Sequence, residues 1–219
     1  MISFDNIKTI FLDYDGTLHN GMKIYAPAFR KAYSYLVDKG YAKPRKWSED
    51  DISYWLGFNP KEMWQKFMPH INQEERQRCS KIISESMKAS TLSGQAELYP
   101  DALEVLSYLK NKGYHLIFIS NCKIYYKESH NSIFGLDRYF ERLIASEEYD
   151  FRPKYEIIKA VIDEYPRDMV IIGDRHQDIE AGKRNHIYTI GCNYGYGYPQ
   201  ELEEADLVIE NILELKNLF

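Results

Sequence analysis

Two short segments place acidic residues where chemistry could be done. The first is Phe11-Leu12-Asp13-Tyr14-Asp15-Gly16-Thr17-Leu18, in which two carboxylates one residue apart leave an apolar run and enter a Gly-containing turn. An isolated Asp-Gly turn is commonly structural, so this segment needs context before it carries a function. The context is Ile171-Ile172-Gly173-Asp174-Arg175-His176-Gln177-Asp178, where a second apolar run also ends in acidic residues. If both runs are strands of one open α/β sheet, their carboxyl ends meet at the edge where such sheets bind ligands. Asp13, Asp15 and Asp174 would then crowd several negative charges together, which is costly unless a cation neutralises them or some carboxyls hold protons. Oxygen-only ligands, from carboxylates and a backbone carbonyl, suit Mg²⁺. Asp178 reads equally well as a cap on the following helix or as a further metal ligand. A third run ends in Phe118-Ile119-Ser120-Asn121. Its hydroxyl and exposed backbone N–H groups could bind phosphate oxygens, a weak signal that gains weight from the shared edge.

These positions require short buried strands. Runs rich in Ile, Leu, Val and aromatics at Ile7–Leu12, Tyr114–Ser120, Arg142–Ala145, Met169–Gly173, Ile187–Gly191 and Asp206–Ile209 read as strands of a parallel sheet. Helical patterns lie between the later ones. Pro100–Lys112 carries Leu103, Leu106 and Leu109 on one face and stops at Gly113, and Pro153 opens a helix reaching about Glu164. Strand, helix, strand in succession predicts right-handed crossovers and an open α/β sheet. From His19 to about Ala96 the rhythm breaks. Only helical stretches appear, near Pro27–Lys39, Ser48–Leu56, Pro60–Met68 and Asn72–Ser90. The expected organisation is a Rossmann-like α/β core made of residues 1–18 and 97–219, with an all-helical domain of residues 19–96 inserted after the first strand.

Composition narrows the function classes. The 219 residues are 44% hydrophobic and 28% charged, ordinary for a soluble globular chain with a sizeable core. The formal net charge of -5 disfavours a broad cationic surface for nucleic acid. An anionic substrate would need local positive charge, from a metal ion or a few basic side chains. No apolar run approaches the roughly 18 residues of a membrane span, and no secretory signal is evident. Cys79, Cys122 and Cys192 form no zinc pattern, and a reduced cytoplasmic setting is expected. Nothing points to an obligate assembly, so a monomer or weak homodimer is expected.

Taken together, DYDGTL at 13–18, FISN at 118–121, a Lys before a helix at 154 and GDRHQD at 173–178 resemble, in order and strand context, the haloacid dehalogenase superfamily of aspartate-dependent phosphotransferases. The resemblance is closest to phosphoglycolate phosphatase-like members with a helical cap after the first motif. It implies that Asp13 attacks phosphorus and forms an aspartyl phosphate, and that Asp15 protonates the leaving oxygen and then activates water. It further implies that Asp13, the backbone carbonyl of Asp15, and Asp174 hold Mg²⁺, while Ser120, Asn121 and Lys154 hold phosphoryl oxygens. The implied substrate is a small phosphate monoester such as phosphoglycolate, a nucleotide or a sugar phosphate. A phosphomutase and a non-catalytic module binding Mg²⁺ and a phosphorylated ligand are the alternatives. Asp15 speaks against a dehalogenase, which needs no acid there. In this architecture the cap is a lid that excludes water.

The chain departs from the family at three places. His19-Asn20-Gly21 stands where an acidic and a small hydroxyl residue are frequent. Arg152-Pro153-Lys154-Tyr155-Glu156 offers two basic candidates, of which Lys154 is preferred because Lys is a compact phosphate binder. Asp101 replaces a common Gly and is expected to alter only a helix start. His19 and His176 are expected to be solvated or hydrogen-bonded bystanders. Arg175 reads either as a contact to a substrate anion or as a surface ion pair. Trp47, Trp55 and Trp64 are expected mainly in core packing, and Gly191–Gly197 as a mobile connection.

Overall fold

The computed structural model describes residues 4–219; residues 1–3 of the expected core lie outside it. The chain divides into two compact units. One is the chain up to His19 together with Leu98–Phe219; the other is Asn20–Glu97. The division falls one residue later at each crossing than the sequence suggested, because His19 bridges to Leu98 across the two strands of chain that leave the first unit.

The first unit is a six-stranded, wholly parallel sheet. Its strands in chain order are β1 (Thr9–Leu12), β2 (His115–Ser120), β3 (Arg142–Ala145), β4 (Met169–Gly173), β5 (Tyr188–Cys192) and β6 (Leu207–Ile209), arranged 3-2-1-4-5-6. β1 and β4 are buried along their whole length, as a strand covered on both faces must be, and their unbroken apolar runs follow from this. The chain builds outward from β1 through β2 to β3, then returns beside β1 with β4. The direction therefore reverses between β1 and β4, which makes that crevice the natural ligand position. Phe11, Ile117, Ile119, Ile144, Met169 and Ile171 from the sheet pack with Ile157, Ile158 and Val161 to form the core under it.

The second unit is all-helical: α1 (Met22–Asp38), α2 (Glu49–Ser53), α3 (Pro60–Phe67) and α4 (Gln73–Leu92). Asn59 and Asn72 cap α3 and α4 by accepting the backbone N–H of Glu62 and Glu75 at 3.0 and 2.9 Å. Sequence reading began the first helix at Pro27; it begins five residues earlier, with Pro27 inside it. The burial of Met22, Ile24, Tyr25 and Ala26 outweighs the one backbone hydrogen bond that proline forfeits. Phe29, Tyr33, Trp47, Trp55 and Phe67 form one aromatic cluster in this unit.

In the first unit, α5 (Ala102–Asn111) and α6 (Ile124–Phe134) flank β2, α7 (Lys154–Val161) precedes β4, and α8 (His176–Asn185) follows it. Asp101 stands at the start of α5 with φ +65°, in the left-handed region that asparagine, aspartate and glycine tolerate best. This is why Gly is an apt residue there and why Asp can replace it.

Candidate active site

The central pair of strands delivers the acidic residues. Asp13 follows β1 and its N–H donates to the Ile172 carbonyl of β4 at 2.9 Å, so the sheet pairing continues one residue beyond the strand. Asp174 leaves β4 directly, and Asp178 stands in the first turn of α8. One carboxylate oxygen from each of Asp13, Asp174 and Asp178 lies within 4.8 Å of the others, and all three side chains are buried. Gly16 makes this crowding possible. Its φ of +92° turns the chain back, and a Cβ at that position would overlap the Asp174 carboxylate.

Lys154, the first residue of α7, is buried and reaches the same point. Its Nζ donates to Asp13 Oδ1 at 2.7 Å and also to Asp178 Oδ1. The alternative, Arg152, is exposed, and the structure brings no partner acid from this cluster to it. Asp178 takes up the capping role while also standing in the three-acid cluster. Its Oδ2 accepts the Arg175 backbone N–H at 3.1 Å while Oδ1 takes Lys154, so both oxygens are engaged within the protein. Asp174 Oδ2 accepts the Tyr196 N–H at 2.7 Å, and the Thr17 hydroxyl stands 3.5 Å from Oδ1. The segment expected to be a mobile connection is therefore pinned to the site. A Cβ on Gly195 would overlap the Asp174 side chain, and the Tyr194 hydroxyl donates to the Thr17 carbonyl at 3.0 Å.

The charges in this cluster do not balance. Burial pushes the Asp13 carboxyl well above the usual range; Lys154 opposes that shift, and Asp178 and Asp174 add to it. Burial, then the charge of Asp178, raises Asp174 to about 7 even though the Tyr196 N–H works the other way. Burial disfavours the Lys154 ammonium, but Asp13 and Asp178 more than reverse this and hold it charged. Were all three carboxyls ionised against the one ammonium, two negative charges would remain in a buried place, the deficit a divalent cation would fill. Asp13 and Asp174 are the acids that keep an oxygen not engaged at close range by the protein, and carboxylate oxygens suit a hard cation such as Mg²⁺. The donor set fits the metal that the sequence led us to expect.

Asp15 points elsewhere. Its Oδ1 lies 2.7 Å from both the Tyr126 hydroxyl and His19 Nδ1. His19 is fully buried, not a solvated loop residue, and its stacked partner is Tyr14. Ser120 is buried at the end of β2, where continuation of the Leu12–Phe118 register puts it one residue beyond the level of Asp13. Asn121, half-buried, follows it. Cys122, next in the chain, has its thiol pushed up to about 12 by burial, with a hydrogen bond to Ser120 acting against the shift. Tyr126 and His130 were not singled out from sequence. Their four-residue spacing on α6, just after the Ser-Asn turn, was the available signal, matched by the four-residue spacing of Asp15 and His19.

The sequence pattern of the family described as haloacid dehalogenase-like hydrolase matches residues 10–192, a span that runs from β1 through β5 and includes every residue of the cluster. The chain belongs to this family. Curated relatives align over most of the chain. A phosphoglycolate phosphatase of Nitrosococcus oceani is 23% identical over 96% of this chain and 96% of its own length. A phosphoglycolate phosphatase of Aquifex aeolicus is 26% identical over 87% of this chain and 86% of its own. Among solved structures, a predicted phosphatase from Clostridium acetobutylicum superposes with a TM-score of 0.82 at 20% identity, covering 96% of this chain and 97% of that one. CbbY from Rhodobacter sphaeroides in complex with phosphate gives 0.77 at 19%, covering 95% and 96%. No helix among the described residues is long and apolar enough to cross a membrane.

Proposed function

We propose that this hydrolase is a phosphatase that hydrolyses a small-molecule phosphate monoester in two steps through an aspartyl phosphate on Asp13. The observation that carries the reading is the Lys154 ammonium, buried and fixed 2.7 Å from Asp13 inside an otherwise acidic cluster. A cation in that position balances the nucleophile and meets the phosphoryl group that the nucleophile attacks.

In the first step an Asp13 carboxylate oxygen forms a bond to phosphorus while the bond from phosphorus to the ester oxygen breaks. Asp15 gives its proton to that departing oxygen, and the product alcohol leaves. In the second, water attacks the phosphorus of the acyl phosphate, Asp15 takes the water proton, and the phosphorus–Asp13 bond breaks to release phosphate. Lys154, with the Ser120 hydroxyl and the N–H groups around Asn121, is assigned to the phosphoryl oxygens, positions where fixed donors stabilise charge as it develops. Asp13, Asp174 and the Asp15 carbonyl would hold Mg²⁺, which when bound supplies neutralisation of the carboxylates and of the phosphoryl charge. Asp178 is assigned to orienting Lys154. The helical unit is assigned as the substrate cover, and the phosphoglycolate phosphatases among the relatives support a small anionic ester as the substrate class. We also place the enzyme in the cytoplasm, a reading supported by three free cysteines.

Hydrolysis of 4-nitrophenyl phosphate with and without Mg²⁺, for the wild type and Asp13→Asn, tests this. Turnover that requires the metal and disappears in the variant is expected. A variant that keeps its rate would show that Asp13 is not the nucleophile. A panel of phosphoglycolate, nucleotide and sugar phosphates then ranks substrates by kcat/KM.

A further inference from the structure

Asp15 is held by a buried aromatic and imidazole assembly drawn from two parts of the first unit. Both of its close partners meet the same oxygen. Tyr126 donates its hydroxyl hydrogen to Oδ1 at 2.7 Å, and His19 Nδ1 lies 2.7 Å from that atom. With Asp15 as a carboxylate, Nδ1 carries the ring hydrogen and donates it. Oδ2 has no hydrogen-bond partner among the described residues. The two donors therefore fix the rotation of the carboxyl group and leave one chosen oxygen for the reaction.

The donors are themselves fixed. His19 stacks on Tyr14 with ring centres 5.0 Å apart and planes 4° apart, and meets His130 edge-on at 4.6 Å. Tyr14 and His130 are joined through the hydroxyl and Nδ1 at 2.7 Å, and His130 lies 4.0 Å from the Tyr126 ring. Tyr14 and His19 come from the turn after β1, whereas Tyr126 and His130 stand one turn apart on α6. None of these four rings is exposed.

Packing alone does not explain a histidine at position 19. Its Nε2 is buried and has no hydrogen-bond partner among the described residues. Leaving a buried polar nitrogen unpartnered costs free energy that an apolar side chain of similar size would avoid. What the imidazole provides in exchange is the Nδ1 contact to Asp15.

We propose that Tyr126 and His19 are positioning residues for proton transfer by Asp15, with Tyr14 and His130 holding their rings. The proposal rests on the assignment of Asp15 as proton donor made above. Its test uses the dependence of rate on the leaving group. Dinitrophenyl phosphate releases an anion stable without a proton, whereas phenyl phosphate needs one as its oxygen departs. The ratio of kcat/KM for the two esters, measured with Mg²⁺ present, reports proton donation in the first step and is insensitive to the fraction of folded enzyme.

Tyr126→Phe and His19→Leu are each expected to raise the ratio of dinitrophenyl to phenyl phosphate by about tenfold or more, general acid catalysis being worth on the order of 10²–10⁴. His19→Asn, whose side-chain N–H can replace Nδ1, is expected to restore a ratio near that of the wild type. Asp15→Asn serves as the reference. If it leaves the ratio unchanged, the proton-donor assignment itself is wrong. If Asp15→Asn raises the ratio while Tyr126→Phe and His19→Leu do not, the positioning role is overturned and the assignment stands. Should His19→Leu fail to fold, Tyr126→Phe decides the matter alone.

Discussion

Two charge groups start from consecutive buried residues after β4, and they are built to opposite ends. Asp174 belongs to the cluster with Asp13, Asp178 and Lys154, where acids outnumber bases and burial raises Asp13 and Asp174. Arg175 belongs to a group with Glu201 and His176, where its Nε meets Glu201 Oε2 at 3.0 Å and His176 Nδ1 lies 3.0 Å from the same oxygen. Burial works to raise Glu201, yet its bonds to His176 and Arg175 prevail and pull it down to about 2. Arg175 thus makes the ion pair that was one of its two readings, with its own side chain buried and not at the surface. The difference separates two uses of buried charge. A balanced group ties the segment after β5 to the start of α8, whereas an imbalance of charge is a capacity to bind something.

Breaking the unbalanced group should abolish or cripple turnover. Asp13→Asn has the largest expected effect, a loss of kcat of roughly 10⁴-fold or more, as for other nucleophile deletions. Lys154→Ala should follow with about 10²–10³-fold, while Arg152→Ala stays within about twofold; steady-state kinetics on an activated aryl phosphate separate them. Equal, mild losses would undo the assignment of Lys154. The imbalance itself is tested by metal-linked stability. Saturating Mg²⁺ should raise the wild-type Tm by several degrees, since a ligand at about 100 times its Kd adds about 2.7 kcal/mol, and chelation should reverse the rise. Asp174→Asn should lose most of that response. A variant that kept it would place the cation elsewhere.

The balanced group should answer differently. Glu201→Gln removes the negative charge that faces the Arg175 guanidinium and should cost about 1–2 kcal/mol, a few degrees in Tm, with catalysis affected far less than by Lys154→Ala. Its pH dependence has a definite sign. The folded-state pKa lies below the ordinary 4.5, so the stabilisation is fully present above pH 4.5 and is lost as pH falls toward about 2. The Tm difference between wild type and Glu201→Gln should therefore shrink over that window. A difference that did not shrink on acidification would mean that the carboxylate charge is not what stabilises this corner.

Much of the fold was legible because parallel strands buried on both faces must be short apolar runs, and five of the six both began and ended within one residue of expectation. β1 was shorter, beginning at Thr9 and not Ile7. The Ile7 N–H donates locally to the Phe4 carbonyl at 3.0 Å, whereas the Lys8 N–H reaches the Asp168 carbonyl at 2.8 Å. The first helix of the inserted unit was misplaced because proline usually marks a helix start, and here burial of the preceding residues overrode it. Asp13, Asp15, Asp174 and Lys154 were legible because each sits at a strand end or a helix start with its neighbours in sequence.

By itself the sequence determined the strand ends, the types of residue they carry and the excess of acid at one edge, because local apolar runs set the strands and parallel topology sends their carboxyl ends to one side. Only the tertiary structure decided how that excess is shared. It put both Asp178 oxygens on Lys154 and the Arg175 N–H, and gave Asp174 a backbone donor from Tyr196. It also locked one oxygen of Asp15 between His19 and Tyr126, the latter 111 residues away. The reason is physical. A charge alternates between ligand, cap and ion-pair partner according to which donor lies within about 3 Å. That distance is set by how strands and helices pack, and the backbone N–H of Tyr196 has no signature in residue type at all.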